Sequence, residues 1–181
     1  GDVLIGTNNV NGSGNTSADN NGATPFSKDR EDANPDSGSY GIFSRFCGSS
    51  EPSSYAFNLG SSDRSSTILR QYRGVDPSIW DVAPSASTVN TGFSGTANCT
   101  APSISIATAG ACALVLMGDD RTPTTTTFSS IDNGYANAVS KSGQQYQATA
   151  DKLGLAIGAT GATIITSSAL VTYVIHQVAL K

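Results

Sequence analysis

The chain has 181 residues, of which 38% are hydrophobic and only 13% are charged, and its formal net charge is −4. This length suffices for one domain with a buried core, and the charged fraction is well below the roughly 25% that is typical of globular domains. The Lys and Arg residues are scattered, which argues against binding to nucleic acid, because such binding needs clustered positive charge. No apolar stretch approaches the ~20 residues that cross a bilayer as a helix, so we expect no membrane partner.

Turn-forming and small polar residues take the place of the missing charge. The 19 Gly and 7 Pro indicate many turns, and Ser and Thr are abundant between short alternating apolar segments. These segments recur every ~8–12 residues, a spacing that is typical of β-sandwiches. The sequence therefore predicts an all-β fold, an antiparallel, jelly-roll-like β-sandwich of about nine short strands, with a single domain over residues 1–181.

In chain order, a first strand begins at Val3 and leads into a long loop over residues 8–38, which is rich in Asn, Gly and Ser. The segment CALVLMG is apolar on both faces, which predicts a central strand covered on both sides. The segment DVAPSASTVNTGFSGTANCT is predicted to be mostly loop, and KSGQQYQATADKLG is the best helix candidate although a strand fits it too. The other predicted strands are SYGIFSRF, YAFNL, STILRQYR, ISIAT, GQQYQATADKL, ATIITSS and LVTYVIHQVAL.

The three cysteines, Cys47, Cys99 and Cys112, are an odd number and form no C-x-x-C pair. That spacing does not support a zinc site, and we expect neither a bound metal nor a cofactor. Three free, partly buried thiols are the favoured interpretation. One disulfide with one free thiol is the alternative, and the spacing does not say which pair would form it.

Trp80, Asp119 and Asp120 are the candidate ligand-binding residues. Trp80 is the single tryptophan and follows a turn, so it can stack on a sugar or, more often for such a residue, close one end of the core. The adjacent carboxylates of Asp119 and Asp120 follow the predicted central strand and have the oxygen chemistry that calcium prefers. Turn capping, with Arg121 neutralising one carboxylate, is the favoured interpretation of that pair.

Catalytic chemistry finds little support in the sequence. His176 is the only histidine, and it lies within the last predicted strand. No G-x-S-x-G motif supplies a nucleophile for it, and no spacing pairs two carboxylates across a cleft as a glycosidase requires. We therefore predict that the chain is not an enzyme, and we keep a hydrolase that uses His176 as the general base only as a minor alternative.

The segment YRGVDPSIWD has the residues of a strand terminus. Gly74 permits a sharp exit from the strand, Asp76 can accept backbone donors in the turn, and Pro77 prevents further pairing. Arg73 is expected to pair with Asp76 or Asp81. The structural turn motif consists of Tyr72, Arg73, Gly74, Asp76 and Pro77.

The order of motifs resembles a β-sandwich module of bacteriophage virion proteins, of the capsid decoration, head-fibre or tail-appendage type. The pattern is SEP, then YRGVDP, then DV, and the match spans nearly the whole chain. The matching segments are residues 1–4, 50–52, 72–76, 81–82 and 178–181. In that family a further strand usually precedes the first matching segment, so the resemblance implies such a strand before residue 1.

The resemblance implies a non-enzymatic structural protein on the surface of a virion, which binds major capsid or tail proteins as a decoration, cement or fibre component. It also implies a homo-oligomer, for example a trimer, because virion components assemble as symmetric copies. Head and tail positions both stay open. The alternative is a carbohydrate-binding or adhesive β-sandwich on a phage tail or a cell-surface appendage, with a host surface glycan as its ligand.

Overall fold

The computed structural model describes residues 1–12, 16, 25–34, 38–57, 64–87, 89–119, 127–141 and 145–181. Within these ranges the chain is all-β, and it contains no helix long and apolar enough to span a membrane. The strands are β1 (Val3–Asn11), β2 (Ser27–Ala33), β3 (Gly38–Phe46), β4 (Ser65–Tyr72), β5 (Trp80–Val82), β6 (Val89–Ala101), β7 (Ser105–Ile106), β8 (Cys112–Asp119), β9 (Phe128–Ile131), β10 (Ala136–Lys141), β11 (Tyr146–Lys152), β12 (Gly158–Ala159) and β13 (Thr163–Leu180).

Two antiparallel sheets dominate the architecture. Sheet I has four strands in the order β2-β3-β1-β4, and sheet II follows the path β10-β11-β8-β13-β5, with β6 and β9 also paired to β13. The short strands β7 and β12 pair with each other. The predicted all-β, antiparallel, sandwich-like fold is thus confirmed, although the described residues form thirteen strands rather than about nine.

A hydrophobic layer joins the two sheets face to face. Alternate residues of β1 and β3 point toward sheet II, where alternate residues of β8 and β13 meet them, as the period of a strand requires. Full burial of each large aliphatic side chain contributes about 1.5–3 kcal/mol. The buried members of this layer are Val3, Ile5, Tyr40, Ile42, Val75, Leu114, Leu116, Val174, Val178 and Leu180.

The central strand was predicted correctly. β8 lies between β11 and β13, and the residues that do not face sheet I, among them Val115 and Met117, pack into a second hydrophobic cluster on the other side of sheet II. Both faces of β8 are therefore covered, which explains why its sequence is apolar at nearly every position.

Several predicted boundaries were wrong. β1 continues to Asn11 and β2 occupies Ser27–Ala33, so much of the predicted 8–38 loop is strand, while 13–15, 17–24 and 35–37 lie outside the described residues. β6 is a strand of thirteen residues where mostly loop was expected. It forms because β13 supplies a long antiparallel partner, and pairing outweighs its weak intrinsic propensity.

Two further corrections concern the predicted strands YAFNL and LVTYVIHQVAL. Tyr55 and Phe57 belong to no strand. They pack with Phe26 and Phe43 on the outer face of sheet I, so the alternating apolar residues of this segment are explained by side-chain packing and not by strand pairing. The last two predicted strands are one strand, β13, of 18 residues. The helix candidate near residue 146 is instead β11.

Gly118 leaves room for a side chain of the opposite sheet. A Cβ atom at this position would overlap the ring of Tyr40, which is fully buried between the sheets. We predict that Gly118→Ala lowers the free energy of unfolding by about 1–3 kcal/mol, the usual cost of overpacking, as measured by urea denaturation. Gly48→Ala, where a Cβ would make only an ordinary contact, is the control, and equal stability of the two variants would contradict the prediction.

Candidate functional site

Three titratable side chains lie in a row between β2 and β13. Arg30 Nε donates to Asp32 Oδ2 at 2.8 Å, and Asp32 Oδ2 lies 3.0 Å from His176 Nε2. The ring of Tyr40 stacks on the His176 ring with 6.3 Å between centroids. His176 is fully buried, so a substrate in solvent cannot reach the histidine that a hydrolase would use.

The surroundings of this interior cluster shift both pKa values downward. Burial alone would raise the pKa of Asp32, but the hydrogen bonds from His176 and Arg30 outweigh it and hold that pKa at about 2. Burial lowers the pKa of His176 by disfavouring the imidazolium, and Asp32 offsets only part of this effect. The cluster therefore holds the charged strand β2 against sheet II, a structural role that the sequence spacing did not indicate.

Acid should destabilise the fold through this cluster. Because both pKa values are lower in the folded than in the unfolded state, stability falls as pH drops below about 6.5 for His176 and from about 4 toward 2 for Asp32. The Asp32 contribution is about 1–2 kcal/mol after allowance for solvent screening. Chemical denaturation from pH 7 to 2 measures this loss, and Asp32→Asn should flatten the profile below pH 4. An unchanged profile in the variant would contradict the assignment.

The structure places Trp80 and Asp119 far apart. Trp80 pairs with Leu180 in sheet II, and Asp119 pairs with Tyr173, seven residues along β13, which corresponds to roughly 23 Å at about 3.3 Å per residue. Trp80 is half-buried against the layer between the sheets, and Asp119 is fully buried. The two do not form one site, and Asp120 lies outside the described residues. A ligand role for any of the three stays a prediction.

The YRGVDPSIWD segment forms a hydrogen-bonded turn, as predicted. Gly74 has a φ of 73°, in the left-handed region that favours glycine. Asp76 Oδ1 accepts from the backbone N of Ser78 at 2.8 Å and from its Oγ at 2.7 Å. Pro77 lies between these two residues, where it requires no backbone donor.

The prediction that Arg73 pairs with Asp76 or Asp81 was wrong. Its Nε lies 3.8 Å from the carboxylate of Asp2. Asp76 is occupied by Ser78, and Asp81 Oδ2 accepts from the backbone N of Ala107 at 2.8 Å. Because the side chain of Arg73 is 83% exposed, its contact with Asp2 is a weak surface pair.

The same turn joins both sheets through backbone hydrogen bonds. Val75 N donates to Gly1 O at 2.8 Å, and Gly1 N donates to Val75 O at 2.7 Å, just before β1. Asp76 N donates to Lys181 O at 3.0 Å, and Lys181 N donates to Ile79 O at 2.8 Å, just after β13. The turn therefore fixes one end of β1 relative to one end of β13.

An open groove of about 420 Å³ lies beside this turn, which we call the end groove. One wall comes from the end of β4 and the turn, and the opposite wall from the end of β11 and the start of β8. A volume of this size suits a small ligand or a short peptide segment. The groove is lined by Arg70, Gln71, Tyr72, Arg73, Gly74, Val75, Gly110, Cys112, Asp151, Leu153, Gly154, Leu180 and Lys181.

The cations of the end groove have different partners. Arg70 Nη2 donates to Asp151 Oδ2 at 2.7 Å, and Asn137 Nδ2 donates to the other carboxylate oxygen at 2.7 Å. The Arg70 guanidinium also lies 5.6 Å from the centroid of the Tyr72 ring. Arg70 is thus committed to the wall of the groove, which leaves Arg73 and Lys181 as the cations available to a ligand.

The Arg70–Asp151 pair should stabilise the fold, since the two side chains are only 13% and 6% exposed. We predict that Arg70→Gln lowers the free energy of unfolding by about 2–4 kcal/mol, because it leaves the Asp151 charge buried beside one neutral donor. Adding Asp151→Asn should restore part of the loss. Thermal and urea denaturation of the single and double variants measure this coupling, and additive effects would contradict it.

Exposed apolar side chains stand beside the end groove on the 153–157 loop. Leu153 and Ile157 are each 67% exposed. Between them, Leu155 packs inward, accepts from Gly110 N at 2.8 Å and donates to Ala111 O at 3.0 Å. The loop is therefore anchored at its centre, and it holds two large apolar side chains in solvent.

Burial disfavours the thiolate form of the cysteines. All three cysteines are free, which confirms the favoured prediction. Burial raises the pKa of Cys99 and of Cys112 to about 12, so both are protonated thiols at neutral pH. Among the residues that the structure describes, no group of three or more His, Cys, Asp or Glu side chains is placed to hold a metal ion.

No single segment of the sequence pointed to the end groove. Its walls come from four separate parts of the chain, residues 70–75, 110–112, 151–154 and 180–181. Of these, only the first was predicted from the sequence as a turn motif. Comparison with known proteins adds no assignment, because no family model, no curated protein and no solved structure matches this chain.

Proposed function

We propose that this chain is a non-enzymatic structural protein of a bacteriophage virion that binds other virion proteins as a capsid decoration, cement or fibre component. The ordered SEP, YRGVDP and DV motifs support the proposal by their resemblance to virion sandwich modules. The YRGVDP turn stands at the end of the fold where the end groove and the 153–157 loop lie side by side. We assign contact with other virion proteins to this end.

The observation that carries the proposal is the solvent exposure of Leu153 and Ile157, 67% each, on an anchored loop. An apolar side chain of this size gains about 1.5–3 kcal/mol when it is removed from water. Exposed apolar side chains on an anchored loop, beside a groove with charged lining residues, are typical of surfaces that contact other proteins.

The fold suits a protein whose function is to bind other proteins. Antiparallel sheets joined by a turn at this end keep the loop and the groove in a fixed relation, which lowers the entropic cost of association. Symmetric copies in a particle would add stability to each chain by burying further surface. We place the protein on the virion surface, and a homo-oligomer such as a trimer is compatible with this use.

The carbohydrate-binding alternative draws less support from the described residues. Sugar sites use open aromatic faces, but the ring of Tyr72 in the end groove lies under the Arg70 guanidinium. Trp80 is half-buried against the hydrophobic layer between the sheets. These two placements favour a protein partner over a glycan.

The double variant Leu153→Ser/Ile157→Ser tests the proposal. Because both side chains are exposed, we expect an unchanged melting temperature and at least a tenfold loss of binding to purified particles that lack the protein, measured by cosedimentation. Leu170→Ser, at a 55% exposed position away from the loop, is the matched control and should bind normally. A wild-type chain that neither binds such particles nor occurs in them would overturn the proposal.

A further inference from the structure

We propose that the end groove binds an extended acidic segment of the partner protein, which pairs along the open edge of β4 and places its carboxylates at Arg73 and Lys181. This inference rests on the proposed function, since it names the chemistry of the partner segment that the groove receives.

The first argument is the open edge of β4. β4 is the outermost strand of sheet I, and among the described residues β1 is the one strand that is hydrogen-bonded to it. Alternate backbone N–H and C=O groups of an edge strand point away from its partner and can pair with an added strand. The register with β1 directs the backbone groups of Arg70 and Tyr72 toward Ile5 and Val3, so within this stretch the N–H and C=O of Gln71 point outward. No described residue forms a backbone hydrogen bond with Gln71 on that side, and Gln71 lines the groove. An extended peptide could therefore join sheet I by strand addition.

The second argument is the charge at the rim. Arg73 is 83% exposed and reaches its nearest carboxylate, that of Asp2, only at 3.8 Å. The ammonium group of Lys181 forms no ion pair with any described residue. Hydrogen bonds from Ser78 are the main cause of the lowered pKa of Asp76, and Lys181 adds to it. Burial raises the pKa of Asp81, but hydrogen bonds from Thr108 and Ala107 outweigh it, and Lys181 again adds to the lowering.

Asp151 adds no free negative charge to the groove, because Arg70 and Asn137 each bind one of its oxygens. Among the lining side chains, Arg70 balances Asp151, and Arg73 and Lys181 leave an excess of positive formal charge in a chain whose net charge is −4. Ligand carboxylates complement such a site, and the complementarity raises both the association rate and the selectivity.

The third argument is the apolar part of the lining. Val75 and Leu180 belong to the layer between the sheets and also line the groove, while the exposed Leu153 lies on its rim. Successive side chains of an extended peptide point to opposite sides. A segment that alternates acidic and apolar residues could therefore meet the cations with one set of side chains and the apolar lining with the other.

Two peptides of matched size provide the probes: acetyl-Val-Glu-Val-Glu-Val-amide and the same peptide with Gln in place of Glu. Isothermal titration calorimetry on the full chain should give at least tenfold tighter binding of the Glu peptide, with an affinity that falls as salt is raised. Amide hydrogen exchange of Gln71 should slow when the Glu peptide is bound, because strand addition occupies its outward N–H, whereas Arg70 and Tyr72, which pair with β1, should change less.

The double variant Arg73→Gln/Lys181→Gln should weaken binding of the Glu peptide about tenfold, as expected from the loss of two rim charges. Both changes lie at the rim, so folding should be retained, and circular dichroism checks this. The matched control is Arg64→Gln/Lys141→Gln, which removes two exposed cations outside the groove and should leave the affinity unchanged.

Three results would overturn the inference: no binding of the Glu peptide at millimolar concentration, equal binding of the two peptides, or equal effects of the two double variants. Tighter binding of an oligoglucuronate than of the Glu peptide would replace the peptide with a glycan. If the Arg73→Gln/Lys181→Gln variant is still incorporated into particles, the peptide inference is overturned and the virion role is not. If the wild-type chain binds the Glu peptide as described but is absent from particles, the virion role is overturned and the peptide inference is not.

Discussion

The turn from Arg73 to Ile79 is the constraint on which the end of the molecule that holds the end groove depends. Its backbone pairs with Gly1 on one side and with Lys181 on the other, so a single short segment positions β1 of sheet I against β13 of sheet II. The end groove is the space that this arrangement leaves between the end of β4 and the ends of β8 and β11. A change in the path of the turn would move Arg73 and Lys181 relative to each other and would alter the site as a whole.

Features of the fold that follow from local chemistry could be predicted from the sequence. The run CALVLMG became β8 because a strand covered on both faces must be apolar at successive positions. The alternation in STILRQYR became β4, with Ile68 buried toward sheet II and Leu69 on the outer face of sheet I. The capping of the turn by Asp76 likewise depends only on residues two positions apart.

Features that depend on distant partners could not be predicted. The sequence of β2 resembles that of a solvated loop because most of its residues are charged or polar. His176 is remote in the sequence but lies against Asp32, and this contact offsets the cost of burying the Asp32 carboxylate. β6 is rich in Gly, Thr and Asn and becomes a strand because β13 pairs with it. The end groove was missed for the same reason, since an open space between four segments leaves no pattern in any one of them.

The pairing pattern of β13 also governs how the chain reaches this structure. β13 is hydrogen-bonded to β5, β6, β8 and β9, and all four precede it in the chain. Sheet II therefore cannot close while the ribosome is still synthesising the earlier strands, and β8 is left without one of its two neighbours until β13 emerges. Folds dominated by such non-local pairing form slowly, typically in milliseconds to seconds, and exposed apolar strands are prone to aggregation during that delay. The low hydrophobicity of β2, β6 and β10 would limit that hazard, because strands rich in charge, Gly, Ser and Asn are poor templates for contact between nascent chains.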